Sequence, residues 1–422
     1  MKSVFQNARN AREHTIQFTL APTHVAYANT LRRLCMTSVE TVGFRADIRD
    51  NGATTDVEIL ANSTPMTNEM LAHRVGLIPL YVKTPTEWDP EKYTFILDKT
   101  NETEHAMDIF ASDFQVLETR GEDTIQIPSS TFFRPHPKSG ETCLLAVLKP
   151  LMPGGKPEEL RIKAKASAGI GRENARFIPT AQCAYSYTRD EDPEHQKKVF
   201  DEWIRRAKMI DPAELEKDAV KKGEYTREFN TLEVNRCYLK NEGGEPYSFD
   251  FTVESVGVLD PAQIVLRACE RGADLCKRYA VDNLPADVTV QRVEGQLLGW
   301  DFIFQGQDHT LGHLVQAWID EHLIDSGEVT FVGYDIPHPL RDEMVIRIGV
   351  PDAETDQSAR KAIQKAMVAC EAMFQTWRSQ WAAIVQPASA AAPAATDPGS
   401  AAAASVKRRI VRKPQPVAAA PV

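Results

Sequence analysis

Glu69 and His73 lie four apart in the segment NEMLAHRVGLIPL, with Arg74 beside the histidine. On a helix that spacing puts carboxylate and imidazole on one face, where they could serve as general acid and base or share a metal, with the guanidinium clamping an anion. A second pair, His309 and His313, has the same spacing, and Arg32 with Arg33 could grip phosphate. Each chemical reading has a plainer rival. A zinc-type site takes at least three protein ligands, and nothing near Glu69 and His73 suggests a third. Thr64 as cap, Pro65 at the first helical position and Gly76 after the last turn describe a short capped helix, anchored by Leu77, Ile78 and Pro79. His309 and His313 stand at a helix start, where a surface histidine is the simpler reading. No catalytic residue, metal site or cofactor is assigned.

The remaining composition agrees with a binding protein. The chain has 422 residues, 42% hydrophobic and 26% charged, enough for roughly three domains and a large core. Apolar runs such as Cys143 to Leu148 are far shorter than the roughly 20 residues of a bilayer span, and the amino terminus has no apolar signal region, so the protein is expected to be intracellular with no membrane contact. Seven cysteines (Cys35, Cys143, Cys183, Cys237, Cys269, Cys276 and Cys370) form neither a disulfide framework nor a paired C-x-x-C site and read as reduced, mostly buried thiols. A net charge of -10 disfavours general nucleic-acid binding and favours protein partners. The basic exception, Lys407, Arg408, Arg409, Arg412 and Lys413, lies in an Ala/Pro-rich stretch from 387 to 422. That stretch reads as a disordered tail carrying a nuclear import signal, a nucleic-acid arm or a solubilising end.

Two stretches repeat one order of elements. IQFTL (16–20) reads as a strand, and a helix follows with Val25, Ala28, Leu31, Cys35 and Val39 on one face and Pro22-Thr23 at its start. WDFIF (300–304) is the second such strand, followed by a helix with Leu311, Leu314, Val315, Trp318 and Leu323 on one face, Asp308 or Thr310 as cap and Gly327 as stop. VGFRADI and VTFVGYDI then read as matching strands. Further on, YSFDFTVESVGVL leads into a helix from Asp260-Pro261 to Tyr279, and EMVIRIGV into a long helix with Ile363, Cys370, Trp377 and Ile384 seven apart and Met367, Phe374 and Trp381 between them. A single copy would leave its apolar helix faces in water, at about 25 cal/mol per Å². Packing the copies helix to helix removes that cost, with Val25, Leu31, Cys35, Leu311, Leu314, Val315, Trp318 and Trp377 as the expected pairing residues.

These residues carry a resemblance. YANTLRRLCMTSVETVGF, NEMLAHRVGLIPL, LRIKAKASAGIGRENARFIPTAQCAY and FTVESVGVLDPAQIVLRA resemble the larger α-like subunit of multisubunit DNA-directed RNA polymerases, the third-largest in eukaryotic polymerase II and the D-like component in archaea. HTLGHLVQAWI with VGYDIPHPL resembles the smaller α-like partner, the L-like component in archaea. The match is ordered and covers most of residues 15 to 385. It departs from the cellular pattern in placing both partners in one chain, joined around AVDNLPADVTVQRVEGQ, as in large nucleocytoplasmic DNA viruses.

The resemblance implies an α+β fold, with two α-like dimerisation units paired within one chain and the first interrupted by a mostly β insertion domain. The implied boundaries are 1–44 with 179–282 for the first unit, 45–178 for the insertion, 283–386 for the second unit and 387–422 for the tail. YTFILD (93–98), TIQIP (124–128) and LLAVLKP (144–150) support a β insertion without the family's help. Some relatives carry a metal-binding cysteine cluster there, whereas this insertion holds only Cys143. The charged run Lys197 to Glu228 reads as a solvated helical excursion. The implied function is a non-catalytic assembly platform whose partners are the two largest polymerase subunits and small polymerase subunits, with DNA met only through the assembled complex. Asn29, Arg32, Arg33, Glu69, His73 and Arg74 are the expected partner-binding residues. The setting is a host nucleus or cytoplasmic viral factory, with packaging in the virion a further option. A regulatory decoy for host polymerase subunits and a metal-dependent hydrolase using Glu69 and His73 are the alternatives.

Overall fold

The structure, a computed structural model, describes residues 3–47, 55–121, 123–136 and 138–389. The basic cluster at 407–413 lies outside the described residues, and so does the expected tail, except that a helix runs on through its first three positions to Ser389. The chain divides into two compact units. One comprises the described residues up to 39 with 180–255 and 261–387; the other comprises 40–179 with 256–260.

The first unit contains both repeats. Its first copy consists of strands β1 (Phe5–Arg12) and β2 (Thr15–Leu20), helix α1 (Val25–Thr37), strands β3 (Thr180–Tyr187) and β4 (Phe249–Ser255), and helix α2 (Pro261–Tyr279). Its second copy consists of β5 (Val288–Arg292), β6 (Gly299–Gln305), α3 (His309–Ile319), β7 (Phe331–Asp335), β8 (Glu343–Gly349) and α4 (Gln357–Ser389). The sheets have the same antiparallel order, β1-β2-β4-β3 and β5-β6-β8-β7. Their registers also correspond, with Phe18 opposite Phe251 in one and Phe302 opposite Ile346 in the other. Alternation turns Ile16, Phe18 and Leu20, and likewise Phe302 and Phe304, to the covered face.

Three local expectations change. The first-copy counterpart of VTFVGYDI is β3, because Glu40–Gly43 pairs with Ser167–Ile170 inside the other unit. The helix α1 starts at Val25 with His24 as its cap, its Nδ1 accepting from the Ala26 N–H at 3.2 Å, in place of a start at Pro22-Thr23. The presumed joint around 280–296 contains β5, which pairs with β6 as β1 pairs with β2.

Helix α1 packs against both α2 and α3. The core beneath is aromatic, with Phe5 and Phe18 each meeting Trp381 at 4.9 Å between ring centres and Phe18 stacking on Phe251 at 5.0 Å. Gly272 of α2 lets the ring of Phe374 of α4 approach so closely that a Cβ there would stand 2.8 Å from it. The excursion between β3 and β4 has a small core of its own, with Phe229, Val234 and Cys237 buried against Val199, Phe200 and Trp203. The charged run therefore covers an apolar cluster between Pro193–Trp203 and Ala219–Glu228, with Lys208 paired to Glu228 at 2.8 Å.

The second unit is built on a five-stranded antiparallel sheet in the order Val57–Asn62, Glu158–Ala164, Tyr93–Asn101, Gln115–Arg120, Asp123–Ile127. Phe44, Phe95, Phe114, Phe132 and Phe133 fill its core, together with Leu71 and Val75 of the helix Asn68–Gly76.

Candidate functional site

The pairing stripe is the part of the molecule where both copies meet. Leu31, Cys35, Leu311, Leu314 and Val315 are buried, as is Trp377 within the aromatic core. Val25, at the first turn of α1, is half-buried, and so is Trp318, which stacks on His322 at 4.6 Å. The stripe is wider than the apolar spacing shows. Tyr27, Thr30 and Leu34 are also buried on α1, and they went unnoticed because two of them carry hydroxyls.

Polar groups join the copies at defined points. Tyr27 donates to the Glu321 carboxylate at 2.5 Å, and burial followed by that bond raises the phenol far above its ordinary range. Arg33 donates from Nε to the Thr310 hydroxyl at 2.8 Å and pairs with Asp308 at 3.3 Å. Asp308 is at the same time the cap of α3, accepting the Thr310 N–H at 2.8 Å. On α2, Glu270 receives Arg267 and, from α4, Arg378, each at 2.8 Å. Burial pushes that carboxyl up, and the two guanidinium bonds more than reverse it, leaving its pKa below the usual value. Gln380 of α4 accepts the Val4 N–H at 3.0 Å, and the Trp381 Nε1 donates to the Ala262 carbonyl at 2.9 Å. The Tyr27–Glu321, Arg378–Glu270 and Val4–Gln380 contacts join residues more than 100 positions apart, so no local pattern signals them.

Arg33 therefore differs from its expected role on an outward docking face, since its guanidinium is engaged inside the chain. Arg32 is placed otherwise. Half-exposed, it donates from Nε to the Asn29 side-chain oxygen at 3.0 Å and touches the Met36 sulfur at 3.4 Å. Asn29 and Arg32 border an open hollow of about 530 Å³ whose other wall is Cys183 to Tyr187 of β3.

A profile of the RNA polymerase Rpb3/Rpb11 dimerisation domain matches residues 17–276, and a second profile of that description matches residues 300–380. The chain belongs to the RNA polymerase Rpb3/Rpb11 dimerisation-domain family. It is 25% identical to the DNA-directed RNA polymerase II subunit RPB3 of Schizosaccharomyces pombe, over 72% of this chain and 97% of that protein. Against the DNA-directed RNA polymerase subunit Rpo3 of Methanobrevibacter smithii it is 25% identical over 64% of this chain and 95% of the relative. A third relative, subunit 3 of DNA-directed RNA polymerases II, IV and V from Arabidopsis thaliana, is 27% identical over 62% of this chain and 86% of its own length.

Within this Rpb3/Rpb11-type scaffold the Glu69, His73 and Arg74 trio sits on the short helix of the second unit. Its cap is Thr67, whose hydroxyl accepts the Met70 N–H at 3.3 Å, and the helix begins at Asn68, so the Thr64 and Pro65 start is corrected by three residues. Thr64 instead donates to the Asn62 side chain at 2.7 Å. Glu69 and His73 are exposed, and the Glu69 carboxyl is held below its usual range by its own backbone N–H and then the Thr67 hydroxyl, as a first-turn carboxylate should be. Arg74 donates to the carbonyls of Leu145 and Leu144 at 2.9 and 2.8 Å and so staples the helix to strand Leu144–Leu148. Among the described residues, no group of three or more His, Cys, Asp or Glu side chains is arranged to hold a metal ion, and no helix is long and apolar enough to cross a membrane.

Proposed function

We propose that this chain is a non-catalytic assembly-platform subunit of a DNA-directed RNA polymerase, in which the larger and smaller α-like partners are fused and together position the two largest, catalytic subunits. The observation that carries the reading is that helix α1 of the first matched stretch and helix α3 of the second lie in one compact unit and pack against each other. Fusion makes pairing intramolecular, at an effective concentration that reaches about millimolar for a short linker. We take this subunit to belong to a viral enzyme working in the host nucleus or a cytoplasmic viral factory, a reading supported by the resemblance of both partners in one chain to the polymerases of large nucleocytoplasmic DNA viruses.

Docking is assigned to the surface around Asn29 and Arg32, where a guanidinium with donors to spare borders an open hollow. A carboxylate of a large subunit, taken in two parallel hydrogen bonds, is the chemistry it fits. The test is recovery of the tagged full-length chain at high salt from the cells in which it is made. Two very large partners at equal stoichiometry are expected, and a chain that elutes alone or with one large partner overturns the platform reading.

A further inference from the structure

Helices α1 and α3 begin at equivalent caps, His24 and Asp308. Counted from those caps, Tyr27 corresponds to Leu311, Leu31 to Val315, Arg33 to Ala317 and Thr37 to Glu321. Leu31 and Val315 keep their apolar, buried character in both copies. The polar positions do not. Arg33 reaches the α3 cap at Asp308, whereas by the same count the mirrored pair is Ala317 with His24, which holds neither a guanidinium nor a carboxylate. Tyr27 bonds Glu321, whereas by the same count the mirrored pair is Leu311 with Thr37, with no carboxylate.

We propose that the Arg33–Asp308 and Tyr27–Glu321 contacts key the seam, so that the first copy accepts the second and rejects another first copy, and likewise for the second. A first-with-first pair sets each Arg33 against the partial positive charge of a helix start capped by His24, with no carboxylate in place, and does so twice by symmetry. It also replaces the carboxylate that accepts from each buried Tyr27 with the shorter, uncharged Thr37 hydroxyl, a weaker acceptor. A second-with-second pair sets each Glu321 against Leu311 and each Asp308 against Ala317, so both carboxylates lose their cross-seam donors. Specificity of this kind comes as much from what the wrong pairing leaves unmatched as from the right contacts. Among many copies of the chain, a keyed seam directs each first copy to a second copy. The inference rests on the pairing of the two copies and not on the polymerase reading, and its test contains no polymerase.

The bend at 281–283 is exposed and offers a site for an engineered protease sequence between the copies. The full-length chain and a charge-swapped chain, Arg33→Asp with Asp308→Arg, are each folded, nicked there, mixed, unfolded in denaturant and refolded together by dilution. Native mass spectrometry then counts the pairs. Self pairs should exceed cross pairs about five- to tenfold, the ratio expected when about 1 kcal/mol separates matched from like-charged contacts. Cross pairs at their statistical share overturn the proposal. Should the swapped chain fail to refold, the neutral variant Arg33→Ala, Asp308→Ser, Glu321→Gln supplies the second reading, because a serine hydroxyl still caps α3. Homotypic pairs, below detection in the wild type, should rise at least about tenfold in that variant. Homotypic pairs already abundant in the wild type, or unchanged in the neutral variant, overturn the proposal.

Discussion

The two copies share one order of strands and helices, yet they use it differently. The second runs from β6 through α3, β7 and β8 to α4 with short connections. The first is opened twice, by a whole compact unit between α1 and β3 and by the helical excursion between β3 and β4. Both openings fall between elements, and the strand order of the sheet is the same as in the unopened copy. The common element of the architecture is the paired apolar stripe, and elaboration is confined to one partner. The copies also divide their polar chemistry. Arg32 beside its hollow belongs to α1, while the equivalent position on α3 is Gln316.

The largest expected effect tests whether the copies form one core. Leu31 and Val315 are equivalent and have no exposed surface. Leu31→Asp and Val315→Asp should each cost more than about 4 kcal/mol and abolish the same cooperative transition in calorimetry. Two transitions, only one of them shifted, would show that the copies fold independently.

The next effect separates adjacent arginines. Arg33→Ala removes a hydrogen bond and an ion pair within the seam and should lower stability by about 1 to 2 kcal/mol. Arg32→Ala should change stability by no more than about 0.5 kcal/mol while weakening capture of the large subunits. Equal melting temperatures for the two variants would remove the distinction between seam and docking face.

A smaller effect lies at the joint between the copies. Tyr279 of α2 is fully buried, meets Phe304 of β6 and donates to Asp287 at 3.0 Å; burial and then that bond push its phenol up to about 12. Below pH about 10 both folded and unfolded chains hold this proton and its stabilisation is complete. Between pH about 10 and 12 the unfolded chain loses the proton first, so stability falls across that range. Tyr279→Phe should flatten that alkaline slope in pH-dependent denaturation. An unchanged slope would mean that the hydroxyl is hydrated at the joint.

The smallest effect concerns the other end of the pH scale. Burial, then the nearby His24 and His309, lower the pKa of His313 from 6.5. As pH drops through 6.5 the unfolded chain takes up the proton first, so stability decreases toward acid. His313→Asn should give a shallower acid slope than the wild type, measured by denaturant midpoints.

Much of this was legible one helix at a time. The stripes of α1, α3 and α4, the Asp308 cap and the strands of the insertion follow from spacing, because burial of one face imposes a period on the residues that line it. The pairing of Glu40–Gly43 was misassigned for a physical reason. An apolar strand leaving a helix has the same pattern whichever sheet receives it, and the receiving strand here is Ser167–Ile170, more than a hundred residues away. The strand β1 escaped notice because most of its residues are exposed, leaving Phe5 as a single anchor.

The amino-acid sequence by itself determined the repeat, the apolar faces and their need for a partner, since these depend on periodicity and on the transfer of surface from water. Tertiary structure alone decided which of two neighbouring arginines turns inward. Arg32 and Arg33 have the same side chain and propensity, and their directions differ by about one helical step of 100°. Only the position of Asp308 and Thr310 on the opposing helix makes the Arg33 direction the one where a guanidinium finds both a carboxylate and a hydroxyl. The same holds for Tyr27, whose acceptor Glu321 stands 294 positions away and enters its surroundings only when the copies pack.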